Sequence, residues 1–233
     1  MKTKQLATCA VMTALLIAMQ YAFSFVSGVE LVTAFFLAFC YVFGVRCGIL
    51  TGIAFSLLRC VLFGFMPNVI LLYLLYYTLF ALLFGVIGGH NMPAWVCPTL
   101  LFGICLLCAF FAIRGLPISA LYKTRVTVML WVLFAILAAL LVFYCILLRK
   151  DRSEGGRELA QVTALAAFCT VLFTLLDDVI TPLTLGYSRE AASAYFYTGF
   201  LAMLPQTICA AVSVFVLFLP LKRVFEAAKR SAL

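Results

Sequence analysis

Long apolar runs, separated by short polar or glycine-containing breaks, recur along almost the whole chain. Eight runs approach the length of a membrane-spanning helix, and the second of them is short for a span. They lie near residues 5–26, 31–45, 47–65, 68–89, 94–113, 126–148, 159–183 and 195–219. Because lipid offers backbone amides no hydrogen-bond partner, each crossing should be an α-helix. The pattern therefore predicts an all-α integral membrane protein, a polytopic helix bundle of about eight spans.

The composition supports a membrane location and excludes several other classes. Of the 233 residues, 67% are hydrophobic and 10% are charged, whereas a soluble domain is about half apolar and about a quarter charged. A soluble globular protein, a disordered tail and a secreted disulfide scaffold are thus excluded. The longest mainly polar stretch lies within 149–158 and is too short to fold alone. We therefore predict a single transmembrane domain over residues 1–233, with 149–158 as a cytoplasmic loop.

Basic residues at the ends of the runs predict the orientation. The net charge of +8 indicates membrane orientation, not nucleic-acid binding, because the basic residues cluster at run ends. Lys2 and Lys4 precede a run longer than the apolar part of a signal peptide, so we expect 5–26 to be a retained first span. The bias places both termini in the cytoplasm. Three basic residues in the predicted outer loop 114–125 run against this orientation. If residues 94–113 do not cross the membrane, the predicted topology of all later segments changes.

Arg59 is the most informative charged residue. It lies about 12 residues into a predicted span, in its outer half. An arginine inside the membrane costs several kcal/mol unless it is paired or hydrated. Glu30, Asp177 and Asp178 are predicted at a suitable depth to pair with it. Two roles stay open and are compatible: an ion pair that locks helices together, or an anchor in a ligand pocket.

Most acids and mid-span polar groups fall in the outer half of the predicted bundle. This asymmetry predicts a pocket that opens outward, with apolar and aromatic walls and a few polar anchors. An arginine anchor would suit a carboxylate or phosphate, whereas the outer acids would suit an amine, and both chemistries stay open. Tyrosines at this depth also form interface belts, so their role stays open too. The candidate substrate-binding residues are Glu30, Arg59, Asn68, Tyr73, Tyr77, Asp177, Asp178, Thr181, Tyr195 and Gln206.

Small residues follow a helical spacing in two places. Ala7, Ala10, Ala14 and Ala18 fall on one face of the first span, where another helix can approach closely. This alanine face either packs inside the bundle or docks a partner membrane protein. The ladder of Gly44, Gly48 and Gly52 is interpreted as packing inside the bundle.

The chain lacks the motifs of common enzymes. It has no HExxH, GxSxG or phosphate-loop motif. Asp177 and Asp178 point about 100° apart on a helix, unlike the facing carboxylates of an intramembrane aspartyl protease. Cys105 and Cys108 have no flanking histidine or acid, and the cysteines within apolar runs are interpreted as small hydrophobes. We therefore predict no catalytic residue, no metal site and no cofactor.

Four stretches together resemble the substrate-binding S component of energy-coupling factor (ECF) transporters. The first two are Lys4–Ala14, a basic start followed by the alanine face, and the glycine-rich Phe43–Gly52. The others are Asp177–Pro182, which closes a span at the outside, and Leu219–Arg223, which ends the last span. The resemblance covers residues 1–90 and 158–230.

The resemblance implies a fold and a function. It implies a six-helix core in a prokaryotic cell membrane. Eight predicted runs exceed six, so residues 94–150 are interpreted as an added helical pair, or as one family helix plus an insertion. The chain would be the high-affinity capture subunit for a vitamin or related micronutrient. The alanine face would meet a transmembrane T component, and two partner ATPases would hydrolyse ATP. The alternative is a stand-alone secondary transporter or permease for a small organic solute, which predicts a mid-membrane ion site and often an inverted repeat.

Overall fold

The computed structural model describes residues 3–25, 31–89, 96–115, 120–150 and 154–232, and they are almost entirely helical. Within these ranges there are eight helices and no strands. In chain order they are α1 (Thr3–Phe23), α2 (Val32–Phe43), α3 (Val45–Phe63), α4 (Pro67–Gly89), α5 (Val96–Arg114), α6 (Ala120–Lys150), α7 (Glu154–Leu185) and α8 (Arg189–Ala232). The prediction of an all-α protein is confirmed.

Among the described residues, six helices are long and apolar enough to cross a membrane: α1, α3, α4, α6, α7 and α8. The apolar helices α2 and Phe102–Arg114 within α5 are shorter. Twelve residues of α2 extend about 18 Å, well short of a hydrocarbon core of about 30 Å. The chain is thus consistent with a helical membrane protein, and about eight spans stays a prediction.

Several helix boundaries differ from the sequence prediction. Helices α6 and α8 begin at Ala120 and Arg189, each six residues before its predicted run. Helix α7 begins at Glu154, inside the stretch 149–158 that we predicted as a loop. Helix α8 continues past the predicted end at 219 to Ala232. Both extensions are richer in charged residues than the apolar runs, and helix formation does not require an apolar sequence once a neighbouring turn is formed.

The described helices divide into two compact units. The first unit contains α1 to α4 and the part of α8 from Cys209 onward. The second contains α5 to α7 and α8 up to Ile208. The single transmembrane domain over 1–233 stays a prediction, since the division describes packing only.

Helix α2 is the core of the first unit. Nine of its twelve residues are buried, as expected for a helix that is hydrophobic on all sides. The last part of α8 packs on it through rings, with Phe225 at 6.0 Å from Phe39 and at 6.3 Å from Phe43 between centroids. The Lys229 ammonium donates to the Val42 carbonyl at 2.6 Å. This places a positive charge at the carboxyl end of α2, where it interacts favourably with the helix dipole.

Glycines allow close approach between α4 and its neighbours in the first unit. A Cβ atom at Gly52 in α3 would lie 3.2 Å from the Tyr77 carbonyl, and one at Gly48 would lie 3.1 Å from the Ala81 Cβ. The interpretation of Gly48 and Gly52 as packing residues is therefore confirmed. Gly44 instead has φ 82° and separates α2 from α3.

Gly88→Ala in α4 tests this packing. A Cβ atom at Gly88 would overlap the Tyr41 carbonyl group of α2, so we expect a loss of about 1 to 3 kcal/mol in the free energy of unfolding. Gly89→Ala is the control, because nothing lies within 4 Å of a Cβ atom there. Thermal unfolding of the detergent-purified protein, followed by circular dichroism, measures both. Equal midpoints for Gly88→Ala and the unsubstituted protein would contradict this contact.

Candidate functional site

The predicted substrate-binding residues separate into two groups, one in each compact unit. Glu30 lies outside the described residues. Arg59, Asn68, Tyr73 and Tyr77 belong to the first unit, and Asp177, Asp178, Thr181, Tyr195 and Gln206 belong to the second. Each group is described separately.

In the second unit, Asp177 is held by two hydroxyl groups. Thr181 donates to Asp177 Oδ1 at 2.6 Å, and the Tyr195 hydroxyl donates to Asp177 Oδ2 at 2.8 Å. Thr181 lies one helical turn after Asp177 in α7, whereas Tyr195 lies in the second turn of α8. The aspartate thus joins two helices, and both of its carboxylate oxygens are occupied.

Asp178 is in a different environment from its neighbour. Its side chain is only 7% exposed. Both of its carboxylate oxygens are buried and find no hydrogen-bond partner among the described residues. The backbone of α8 lies against this carboxyl group at Gly199, where an added Cβ atom would overlap Asp178 Oδ1. Within the described helices, Asp178 therefore has a packing partner but no hydrogen-bond donor.

A tight reversal between α7 and α8 brings these groups together. Gly186 has φ 65°, and the Tyr187 amide donates to the Pro182 carbonyl at 3.0 Å. This is the arrangement by which a glycine ends a helix in a left-handed conformation. Since α8 begins only three residues after Gly186, at Arg189, its first turns can return along the end of α7.

Gln206 does not join the aspartate group. It is half-buried in α8, eleven residues after Tyr195 and hence about 16 Å farther along the helix. Thr174 is a neighbour that the sequence did not single out. It lies one turn before Asp178 on the same buried face of α7, and its hydroxyl donates to the Thr170 carbonyl at 3.4 Å.

In the first unit, Arg59 contacts aromatic rings. Its guanidinium carbon lies 4.0 Å from the centroid of the Tyr73 ring and 5.6 Å from that of Phe63. A cation above an aromatic face is stabilised by about 0.5 to 2 kcal/mol. Arg59 Nε is buried without a hydrogen-bond partner among the described residues. The predicted pairing with Glu30 lies outside the described residues.

The other candidates in this unit are buried between helices. Asn68, Tyr73 and Tyr77 are 7%, 8% and 3% exposed. Tyr77 lies 5.0 Å from Phe55 and 5.3 Å from Phe36 between ring centroids. Such buried rings are not an interface belt, whose side chains face lipid headgroups. They form aromatic packing beside Arg59, and a role in binding stays a prediction.

The alanine face of α1 is not used for packing within the described bundle. The buried residues of α1 are Cys9, Met12, Thr13 and Leu16. Ala7, Ala10, Ala14 and Ala18 are all exposed, and at 100° per residue they lie on the side opposite Leu16. The interpretation that these alanines pack inside the bundle is therefore not supported by the described helices.

An apolar groove of about 300 Å³ lies between α1 and α3. Ala10 and Ala14 form part of its wall, together with the exposed leucines Leu50 and Leu58 of α3. Its other lining residues are Leu6, Cys9, Thr13 and Ala54. No sequence signal pointed to the α3 side of this groove, because those residues are apolar within an apolar run.

No protein-family model, no curated protein and no solved structure matches the chain. The resemblance to an S component thus stays a prediction. Among the described residues there is no group of three or more histidine, cysteine or acidic side chains that could hold a metal ion.

The carboxyl groups of Asp177 and Asp178 offer different chemistry. Two adjacent carboxyl groups differ in their partners, and the carboxyl of Asp178 keeps its acceptor capacity among the described residues. In a protein interior without water, each polar contact contributes more than in water. A donor that reached the Asp178 carboxyl would therefore form a strong hydrogen bond.

Tyr195→Phe tests the contact between α7 and α8. The change removes the hydroxyl that donates to Asp177, so we expect a loss of about 1 kcal/mol in the free energy of unfolding. Tyr187→Phe is the matched control, since Tyr187 is 39% exposed and contacts Tyr195 through its ring. Thermal unfolding in detergent compares the two variants. A Tyr195→Phe protein as stable as the control would show that this hydrogen bond contributes nothing.

Proposed function

We propose that the chain is the membrane-embedded capture subunit of an ECF-type importer for a vitamin or related micronutrient. It would bind the solute on the outer side of the cell membrane. It would work with a transmembrane T component and two ATPases, so that ATP hydrolysis lies on partner chains. No enzymatic activity is proposed for the chain itself.

The observation that carries this proposal is the exposed alanine face of α1. A membrane helix that packs only within its own bundle directs its small residues inward, because small residues let two backbones approach closely. Here the small residues Ala7, Ala10, Ala14 and Ala18 face outward, and larger residues such as Met12 and Leu16 are buried. A helix from another chain is the occupant that such a face fits best.

The neighbouring groove supports the same conclusion. Its walls are almost entirely apolar, and Ala10 and Ala14 link it to the alanine face. Leu50 and Leu58 of α3 extend the apolar surface away from α1. A partner helix seated along α1 would place its large side chains against this groove, as ridges pack into grooves between helices.

The polar groups of α7 and α8 support solute binding by the chain. Asp178 and Thr181 are 7% and 3% exposed, and Asp177 bonds to Tyr195 in the next helix. Intramembrane ionisable residues mark substrate or ion sites. The resemblance to an S component predicts the solute site near this end of α7.

Ala14→Trp tests the docking role. An indole in place of a methyl group would hold a partner helix away from α1, so we expect loss of copurifying T component and ATPases. Solute binding by the chain should be retained, since Ala14 and the aspartates lie on different helices. Affinity purification from native membranes, followed by mass spectrometry, measures assembly. Ala202→Trp is the matched control, because Ala202 is also an exposed alanine within a spanning helix.

Equal recovery of partner chains by both tryptophan variants would contradict docking on the alanine face.

A stand-alone transporter is the second candidate, favoured by the carboxyl of Asp178, which lacks a hydrogen-bond partner among the described residues and lies inside a spanning helix. Reconstitution of the single chain in liposomes separates the two functions. Solute accumulation without ATPases would support the second candidate and overturn the first.

A further inference from the structure

Asp178 is a deeply buried acid near the outer end of the predicted span in α7. The side chain is more than nine-tenths buried, and neither carboxylate oxygen has a hydrogen-bond partner among the described residues. Leaving a buried carboxylate without a donor costs several kcal/mol. Such a carboxyl group is either kept neutral by a proton, or it is ionised against a group that supplies hydrogen-bond donors, positive charge, or both.

The hydroxyl groups near Asp178 donate their hydrogen bonds to other acceptors. The hydroxyl hydrogens of Thr181 and Tyr195 go to Asp177, and that of Thr174 goes to the Thr170 carbonyl. The nearest charged group in sequence, Asp177, is itself an acid. These groups therefore present oxygens to a ligand and offer it few donors, which disfavours an anion and favours a cation.

No described basic residue of the second unit donates a hydrogen bond to Asp178. The Arg125 guanidinium carbon lies 5.7 Å from the centroid of the Tyr197 ring, which directs its charge to an aromatic face. Arg189 and Glu190 begin α8 and are exposed to solvent. Neither of the two arginines is a hydrogen-bond partner of Asp178.

We propose that Asp178 is the anchor for a positively charged nitrogen of the captured solute. This inference rests on the proposed function, and it assigns the solute to the class of organic cations or zwitterions that carry an ammonium-type group. Asp177 acts as a positioning residue, because its bonds to Thr181 and Tyr195 hold α7 against α8. Gly199 leaves only the backbone of α8 against the carboxyl group.

The sequence left two ligand classes open, an anion bound by an arginine and an amine bound by an acid. The described structure treats the two anchors differently. An arginine anchor suits a carboxylate or phosphate, and the outer acids suit an amine. The charge of Arg59 lies against the faces of Tyr73 and Phe63, although its buried Nε lacks a hydrogen-bond partner within the described helices. At Asp178 both carboxyl oxygens lack a partner among the described residues. The cation site is therefore the one that a ligand would complete.

Fractionated yeast extract tests the proposal, because it supplies many small solutes that can be sorted by charge. Ion exchange separates the extract into cationic, anionic and neutral solutes, and each fraction is added to the purified full chain. We expect the cationic fraction, which also contains zwitterions at low pH, to raise the unfolding midpoint by roughly 5 to 10 °C when the solute is near a hundredfold excess over its Kd. Asp178→Asn should lose this stabilisation, and Asp178→Glu should keep part of it because the charge is retained.

Glu190→Gln is the matched control, since it removes an exposed acid at the start of the neighbouring helix α8. It should respond to the cationic fraction like the unsubstituted protein. Each variant is first melted without solute, so that a change in folding is separated from a change in binding. If Asp178→Asn does not fold, the response of Asp178→Glu and the charge class of the active fraction decide the outcome.

The other results overturn the proposal in distinguishable ways. Stabilisation by the anionic or neutral fraction alone would leave solute capture intact and overturn the cation anchor. Equal stabilisation of Asp178→Asn and the unsubstituted protein would show that Asp178 does not hold the solute. Stabilisation by no fraction would overturn solute capture itself, and the anchor with it.

Discussion

A carboxyl group inside an apolar helix bundle stays ionised only if a donor or a cation meets it, and two adjacent aspartates lie near the end of α7. Asp177 meets this condition within the chain, through hydroxyl groups of Thr181 and Tyr195. Asp178 finds no such donor among the described residues, and the close approach of Gly199 covers it. Asp178 thus keeps the acceptor capacity that Asp177 uses to join α7 to α8. In this way a structural contact and a candidate binding group share two neighbouring residues.

Charge in the first unit is accommodated differently. Arg59 lies above the ring of Tyr73, and Lys229 reaches the carboxyl end of α2. An aromatic face and a helix end both carry partial negative charge, so neither contact needs a formal anion. This explains how a chain with only 10% charged residues can place cations among apolar helices.

Helix α1 has one buried face and one exposed face. Its buried residues hold it to the bundle, and its alanines face outward beside an apolar groove. A surface of small side chains gives lipid tails little to pack against but allows a helix backbone to come close. The outward alanines are therefore more informative about a partner than the apolar character of α1, which any lipid-facing helix shares.

The sequence by itself determined the class of the protein and the approximate positions of its helices. Two-thirds apolar composition and recurrent runs leave few alternatives, because backbone amides in lipid must bond within a helix. It also placed Asp177, Thr181 and Tyr195 among the candidates from their depth alone. Helix lengths were harder to predict, since a run as apolar as α2 is expected both of a span and of a buried core helix. Only the tertiary structure distinguished the two aspartates, because adjacent residues on a helix point about 100° apart and the path of α8 decides which of them meets a donor.

That path follows from the left-handed turn at Gly186 and the close approach at Gly199. Likewise, helical spacing placed the four alanines on one face of α1, but their direction depends on where the neighbouring helices pack. Periodicity determines which residues share a face, and packing between helices determines what that face meets.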